Sequence, residues 1–286
     1  MVKKVRTARL SIISNSSLIV IKLGAGIISG SVSILSEAIH SAMDLLAAII
    51  AFFSVKVSDT PPDERHPYGH GKYENISGVI EAFLIFVAAI WIIYEAIGKI
   101  ITPTEVEKVG IGTVVMVLSA LVNFFVSRKL YKVARETDSI ALEADALHLK
   151  TDVFTSAGVA TGLLMILVTG WQFLDPAIAI IVAGLILKES YVLLKSAYSP
   201  LMDVSLSEEE TRIFKEELAS RNLSFHNLKT RKSGQYRFAD LHLELPANME
   251  LNEVHRICDE IESSISRRLP HMEINIHVEP AGSLQP

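Results

Sequence analysis

Apolar residues in this chain are bunched. Stretches at about 10 to 30, 33 to 57, 75 to 101, 109 to 131, 140 to 169 and 174 to 198 are dominated by Leu, Ile, Val, Ala and Phe. Each is near the roughly 20 residues that an α-helix needs to cross about 30 Å of hydrocarbon, so the pattern predicts six membrane-crossing helices. After residue 205 the massed apolar runs stop and periodic ones begin. SLSEEETRIFKEELAS places Ile213, Phe214 and Leu218 on one helical face, behind a Ser207 cap and three glutamates that suit a helix N-terminus. NLKTRKSGQYRFADLHLEL splits at Ser233 and Gly234 into two strands, the second alternating Phe238, Leu241, Leu243 and Leu245 among polar residues. A helix from about Leu251 to Arg268 and a strand EINIHVEP, ended by Pro280, complete an α-β-β-α-β order.

Charge fixes the orientation. Lys3, Lys4, Arg6 and Arg9 precede the first span, and Arg128, Lys129, Lys132 and Arg135 lie between the fourth and fifth, while the connections after the first and fifth spans carry no Lys or Arg. By the positive-inside rule both termini are cytoplasmic. The first span holds Asn15, Ser16, Ser17 and Lys22 and has no small-residue cleavage site, so it reads as a retained helix and not as a signal peptide. The expected fold class is therefore an all-α six-helix transmembrane domain, residues 1–205, followed by a small α+β cytoplasmic domain, residues 206–286. Composition agrees: 286 residues, 50% hydrophobic, with a mean hydropathy of +0.36. The net charge of −5 is concentrated in residues 204–286, with 14 acidic and 10 basic side chains, which gives no electrostatic reason to expect nucleic acid. A single cysteine, Cys258, excludes an intrachain disulfide and a thiolate cluster within one chain.

Two segments carry chemistry inside the apolar runs. SEAIHSAMDLL and ADALHLKTDVF each place an aspartate four residues after a histidine: His40 with Asp44, and His148 with Asp152. Residues four apart share a helix face about 6 Å apart, so two such faces turned together supply two imidazoles and two carboxylates, a set that a tetrahedral zinc ion accepts. At 1.5 Å per residue, Asp44 stands about 20 Å above the cytoplasmic end of its span and His148 about 12 Å inside its own. A carboxylate at such depth costs roughly 2.5–3.5 kcal/mol on insertion scales, which a bound cation or a water-filled path resolves. The alternative is polar contact between helices, with Lys22 and Lys150 as partners. Glu37, toward the outer end of the His40 face, and Asp145, one turn before His148, either stage an ion or face water.

The polar loop DTPPDERHPYGHGKYEN carries Asp63, His66 and His70 at spacings of three and four, beside Pro67 and Gly69, which is compatible with turn chemistry or with a metal. The tail adds His226, His242, His255, His271 and His277; His242 and His277 sit on strands that can be neighbours, and Glu279 follows His277 on the same face. Surface histidines are the alternative there.

The doubled H-x-x-x-D, the run DERHPYGHGKYE and the SPLMD before the tail are the residues by which the chain resembles a bacterial member of the cation diffusion facilitator family of zinc exporters, over essentially its full length. The resemblance implies a homodimer of six-span subunits, a metallochaperone-like, ferredoxin-like cytoplasmic domain, and residence in the inner membrane among its lipids. It implies a transport site at His40, Asp44, His148 and Asp152, a loop site at Asp63, His66 and His70, and a cytoplasmic cluster of His226, His242, His255, His277 and Glu279. Some relatives carry aspartate where His40 or Glu279 stands, while His271 matches nothing in the family. Lys72 and Asp203 match a charge pair that joins subunits in similar proteins.

The expected activity is secondary active export of divalent zinc in exchange for protons by alternating access, with zinc also as a structural or regulatory ligand and no organic cofactor. Proton coupling has a chemical source, because zinc takes neutral imidazoles and ionised carboxylates, and imidazole titrates near neutral pH. An exporter of cadmium, cobalt, iron or manganese is the nearest alternative. A membrane metallohydrolase needs an open coordination position and a general base, and the chain has no H-E-x-x-H. A membrane-anchored metal sensor has no use for six spans.

Overall fold

The computed structural model describes residues 2–29, 32–101, 111–169, 171 and 173–282; the side chains of Glu37 and His40 lie outside the described residues. The chain divides into two compact units, Met1–Tyr198 and Ser199–Pro286.

The first unit is a bundle of six long helices: α1 (Val2–Ser29), α2 (Val32–Ser58), α3 (Lys72–Ile101), α4 (Ile111–Thr137), α5 (Ile140–Thr169) and α6 (Leu174–Tyr198). Its packing inverts that of a water-soluble bundle. Alanines fill the interior, among them Ala8, Ala47, Ala51, Ala82, Ala89, Ala141 and Ala146, beside buried Ser11, Asn15, Asp44, Glu81 and Asn123. Phe83, Ile90, Trp91, Tyr94, Phe125, Ile181 and Leu185 face outward. Small residues let helix backbones approach, and large apolar ones suit a lipid solvent. At Gly78 of α3 an added Cβ would come within 3.0 Å of Ala197 on α6 and 3.2 Å of Ile140 on α5, so only glycine permits this crossing.

Six spans were expected; among the described residues four segments are long and apolar enough to cross a membrane, Lys3–Ile28, Ser41–Ser58, Lys72–Ile101 and Pro176–Met202. The other two helices of the bundle, α4 and α5, are not among these segments. Arg128, Lys129, Lys132 and Arg135 occupy the second half of α4, and Glu143, Asp145, Lys150 and Asp152 the first half of α5.

A 3-10 turn (Ser199–Met202) opens the second unit, followed by α7 (Glu208–Ser220), β1 (Ser224–Ser233), β2 (Tyr236–Leu245), α8 (Leu251–Arg268) and β3 (Met272–Pro280). Ser207 caps α7 through the Glu210 amide while Glu210 reaches back to the Ser207 amide, the reciprocal pair of a capping box. The sheet order is β1-β2-β3, with β1 antiparallel and β3 parallel to β2, so α8 makes the crossover that a parallel pair requires. Leu241, Leu243 and Leu245 of β2 pack with Phe214 and Leu218 of α7 and Ile261 and Ile265 of α8. Alternation then turns His242 and Glu244 to the other face.

Candidate metal centres

Asp44, on α2, meets His148 and Asp152, one turn apart on α5. One ligand atom from each of the three lies within 4.8 Å of the others, and His148 Nε2 stands 3.0 Å from Asp44 Oδ1. The neighbouring helices hold this group in place. Asn123 of α4 donates from Nδ2 to Asp152 Oδ2 at 3.1 Å, and Asn15 of α1 donates to the Asp44 carbonyl at 3.3 Å. The side chains of Asp44 and His148 are 5% and 15% exposed. Lys22 donates to Ser41 Oγ at 2.8 Å, and Lys150 lies 3.9 Å from Glu189 and over the rings of Tyr131 and Phe154. The fourth residue of the expected set, His40, is on α2 one turn before Asp44, and its side chain lies outside the described residues.

The loop between α2 and α3 gathers a second set. Asp63 Oδ1 accepts from the amides of His66 at 2.7 Å and Arg65 at 2.9 Å, which folds the chain into an Asx-type turn and brings the His66 Nδ1 to 3.2 Å from the same oxygen. Those bonds, the His66 amide first, hold the Asp63 carboxyl below its ordinary range. Gly69 takes φ +77°, left-handed backbone that returns the chain so that His70 Nε2 comes to 3.4 Å from Asp63 Oδ2. His70 is buried and lies against Tyr73, whereas Asp63 is half-exposed.

In the second unit, register builds a third set. His226, His242 and His277 occupy matched positions across the three strands. Ring centroids are 5.0 Å apart for the first pair and 4.8 Å for the second. Glu279 ties them together: its Oε1 lies 2.8 Å from His242 Nδ1 and 3.6 Å from His277 Nε2, and its Oε2 lies 3.4 Å from His226 Nε2. The tight group is His226, His242 and Glu279. His255 stands apart from that group, strongly exposed on α8 and 3.6 Å from Asp259 one turn on, because the apolar face of α8 is the one turned to the sheet. His271, at φ +56°, packs edge-on against Tyr236 in the turn before β3.

Residues 8–202 match the cation efflux transmembrane domain, and residues 206–281 match the cation efflux protein cytoplasmic domain. The chain belongs to the cation efflux family, the cation diffusion facilitators. It is 36% identical over 263 residues to transporter sll1263 of Synechocystis, covering 91% of this chain and 85% of that one. It is 32% identical over 277 residues to the cation-efflux pump FieF of Shewanella oneidensis, covering 96% and 93%. The metal-bound C-terminal domain of the CzcD transporter from Thermotoga maritima is similar over 28% of this chain and 100% of its own length, at 22% identity and a TM-score of 0.26. As a cation efflux protein the chain is an integral membrane transporter and not an enzyme.

Asn15 and Asn123 are neighbours of the Asp44, His148 and Asp152 cluster that the spacing of His and Asp did not single out. The signal was present: Ser119, Asn123 and Ser127, at spacings of four, draw a buried polar stripe along α4. A stripe that crosses an apolar helix faces protein, not lipid.

Proposed function

We propose that this cation efflux protein exports zinc from the cytoplasm in exchange for protons, by alternating access at His40, Asp44, His148 and Asp152. The observation that carries the reading is the convergence of Asp44, His148 and Asp152 between α2 and α5, deep in the bundle and supported by Asn15 and Asn123. A mixed imidazole and carboxylate set suits zinc, with His40 as fourth ligand. Cadmium, cobalt, iron and manganese are the other divalent cargoes that such a set admits, manganese least because it favours oxygen. Proton exchange follows from the donors, since the imidazoles bind metal only when neutral and the carboxylates only when ionised.

In this reading the subunit spans the bacterial inner membrane six times, with both termini cytoplasmic, and works as a homodimer. α4 and α5 then cross with their charged halves at the cytoplasmic end, consistent with the basic segment between them. The domain division falls at 205/206, and the cytoplasmic domain binds zinc through His226, His242 and Glu279, with His277 beside them and His255 outside the group. In the loop set Asp63 and His66 are half-exposed while His70 is buried, which suits a site that loads and unloads from water on one side.

The test is zinc uptake into proteoliposomes under an imposed pH gradient. Asp152→Ala should abolish uptake while leaving the elution position and the helical signal unchanged; uptake near the wild-type rate would remove Asp152 from the transport site. His40→Asp, which replaces nitrogen by oxygen, should shift the order of preference toward manganese or cadmium in a competition assay, and an unchanged order would deny His40 a ligand role.

A further inference from the structure

A second pair of carboxylates lies inside the bundle. Glu81 on α3 and Asp145 on α5 are 0% and 1% exposed, the deepest acids described in this unit beside Glu74. Each has one oxygen occupied by a hydroxyl: Ser77 Oγ donates to Glu81 Oε1 at 3.2 Å, and Ser11 Oγ of α1 donates to Asp145 Oδ1 at 3.0 Å. The other oxygen of each, Glu81 Oε2 and Asp145 Oδ2, is buried with no hydrogen-bond partner. The two carboxylates lie within electrostatic range of each other, among the apolar side chains of Ile85 and Leu147.

Buried polar atoms are almost always partnered, and two ionised carboxylates on facing helices repel each other unless a proton or a cation lies between them. The bundle's described lysines with buried heads are engaged elsewhere: Lys4 lies 3.1 Å from Glu74, and Lys22 donates to Ser41. Asp145 precedes His148 by one helical turn, so the pair adjoins the metal cluster on the side of the α5 N-terminus.

We propose that Glu81 and Asp145, with the hydroxyls of Ser11 and Ser77, form an all-oxygen site for a divalent cation, one step before the His148 cluster. The proposal rests on the export reading and adds a place where the cargo halts. An all-oxygen set favours harder ions and holds zinc less tightly than a set containing imidazole, so an ion arriving here is passed on toward His148 rather than trapped. Glu81 is then a second acidic contribution of α3, a helix that supplies nothing to the described membrane cluster.

The experiment counts ions. Full-length protein in nanodiscs is titrated with manganese, and bound ion is read by the loss of the free-ion spin-resonance signal. Glu81→Gln combined with Asp145→Asn should bind one manganese fewer per chain than wild type, while Glu81→Asp, which keeps the carboxylate, retains the wild-type count. Both neutral variants remove an unpartnered buried charge, so a lower melting temperature without bound ion is not expected from them. Equal counts in wild type and the double variant would overturn the site, as would loss of an ion in Glu81→Asp alone. Zinc uptake by the wild-type chain is measured in parallel: uptake together with equal manganese counts leaves export standing and removes only this site.

Discussion

Removing the Lys4 charge should destabilise the bundle more than removing the Glu74 charge it faces. Lys4 and Glu74 are 2% and 1% exposed, and the Lys4 ammonium lies 3.1 Å from Glu74 Oε1 and 3.5 Å from Asp59 Oδ1. Glu74 also accepts from Ser58 Oγ at 2.7 Å and from Ser139. Two carboxylates therefore share one ammonium. Lys4→Met leaves both buried acids without that ammonium, and breaking a buried pair in this way costs about 3–5 kcal/mol. Glu74→Gln leaves the Lys4–Asp59 pair balanced and keeps an amide oxygen for the serines, so it loses only charge-assisted hydrogen bonding, about 1.5–3 kcal/mol. The double variant should cost less than the two single costs added, because without Lys4 the neutral glutamine is the better partner for Asp59. The measurement is unfolding in mixed detergent micelles, compared as a double-mutant cycle. A Glu74→Gln variant as unstable as Lys4→Met, or strict additivity, would refute the charge-balance account. Ser58 ends α2, Asp59 follows it, Glu74 opens α3 and Ser139 precedes α5, so the cluster ties together the ends of the helices that carry Asp44 and His148.

Zinc should raise the melting temperature of the isolated tail, residues 206–286, by the equivalent of about 2.7 kcal/mol at a hundredfold excess over Kd, and His242→Ala with His277→Ala should remove the shift. Identical melting with zinc and with chelator would make the tail histidines ordinary surface residues. At the loop, Asp63 has a depressed carboxyl, so its contribution to the turn is present above the ordinary carboxylate range and lost only as pH falls through the lowered value. Asp63 should accordingly stay ionised through mild acidification, and a loss of loop zinc binding within the ordinary carboxylate range that Asp63→Asn removes would contradict this. Ser207→Ala, which removes the cap from α7, should destabilise the tail by about 1 kcal/mol in urea unfolding, and no change would mean that the cap is redundant.

The tail was legible almost to the residue, because period and punctuation coincide there: Ser207 before three glutamates, Ser233 and Gly234 at the hairpin, and α8 over Leu251–Arg268. What the sequence lacked was register. Whether His226 faces His242 depends on the irregularity in β1 between His226 and Lys229, which no local pattern announces. The same holds for His255, whose spacing is compatible with a cluster but whose helix face is decided by Ile261 and Ile265 packing on the sheet. In the bundle, a histidine and an aspartate four apart mark a shared face wherever the helix goes, so His148 and Asp152 could be grouped by spacing alone. Glu81 could not, because an acid in an apolar run shows that a partner exists without saying which helix supplies it.

The membrane and tail sets differ in how firmly their rings are held. His242 is fixed at both nitrogens, Nδ1 against Glu279 at 2.8 Å and Nε2 against Asn227 at 3.1 Å. A ring held at both nitrogens presents a fixed orientation to an incoming metal, for which Glu279 is itself a proposed ligand. His148 is the opposite case. Its Nε2 meets Asp44, but its buried Nδ1 has no hydrogen-bond partner. Without an outer partner at Nδ1 the ring is oriented from one side only, through Asp44. Under the export reading, a site that gives up its ion in every cycle is served by the looser hold, and a tail site that retains its ion by the tighter one. In the export reading, adding a carboxylate partner to His148 Nδ1 would therefore tighten zinc binding and slow its release, so that affinity rises while turnover falls.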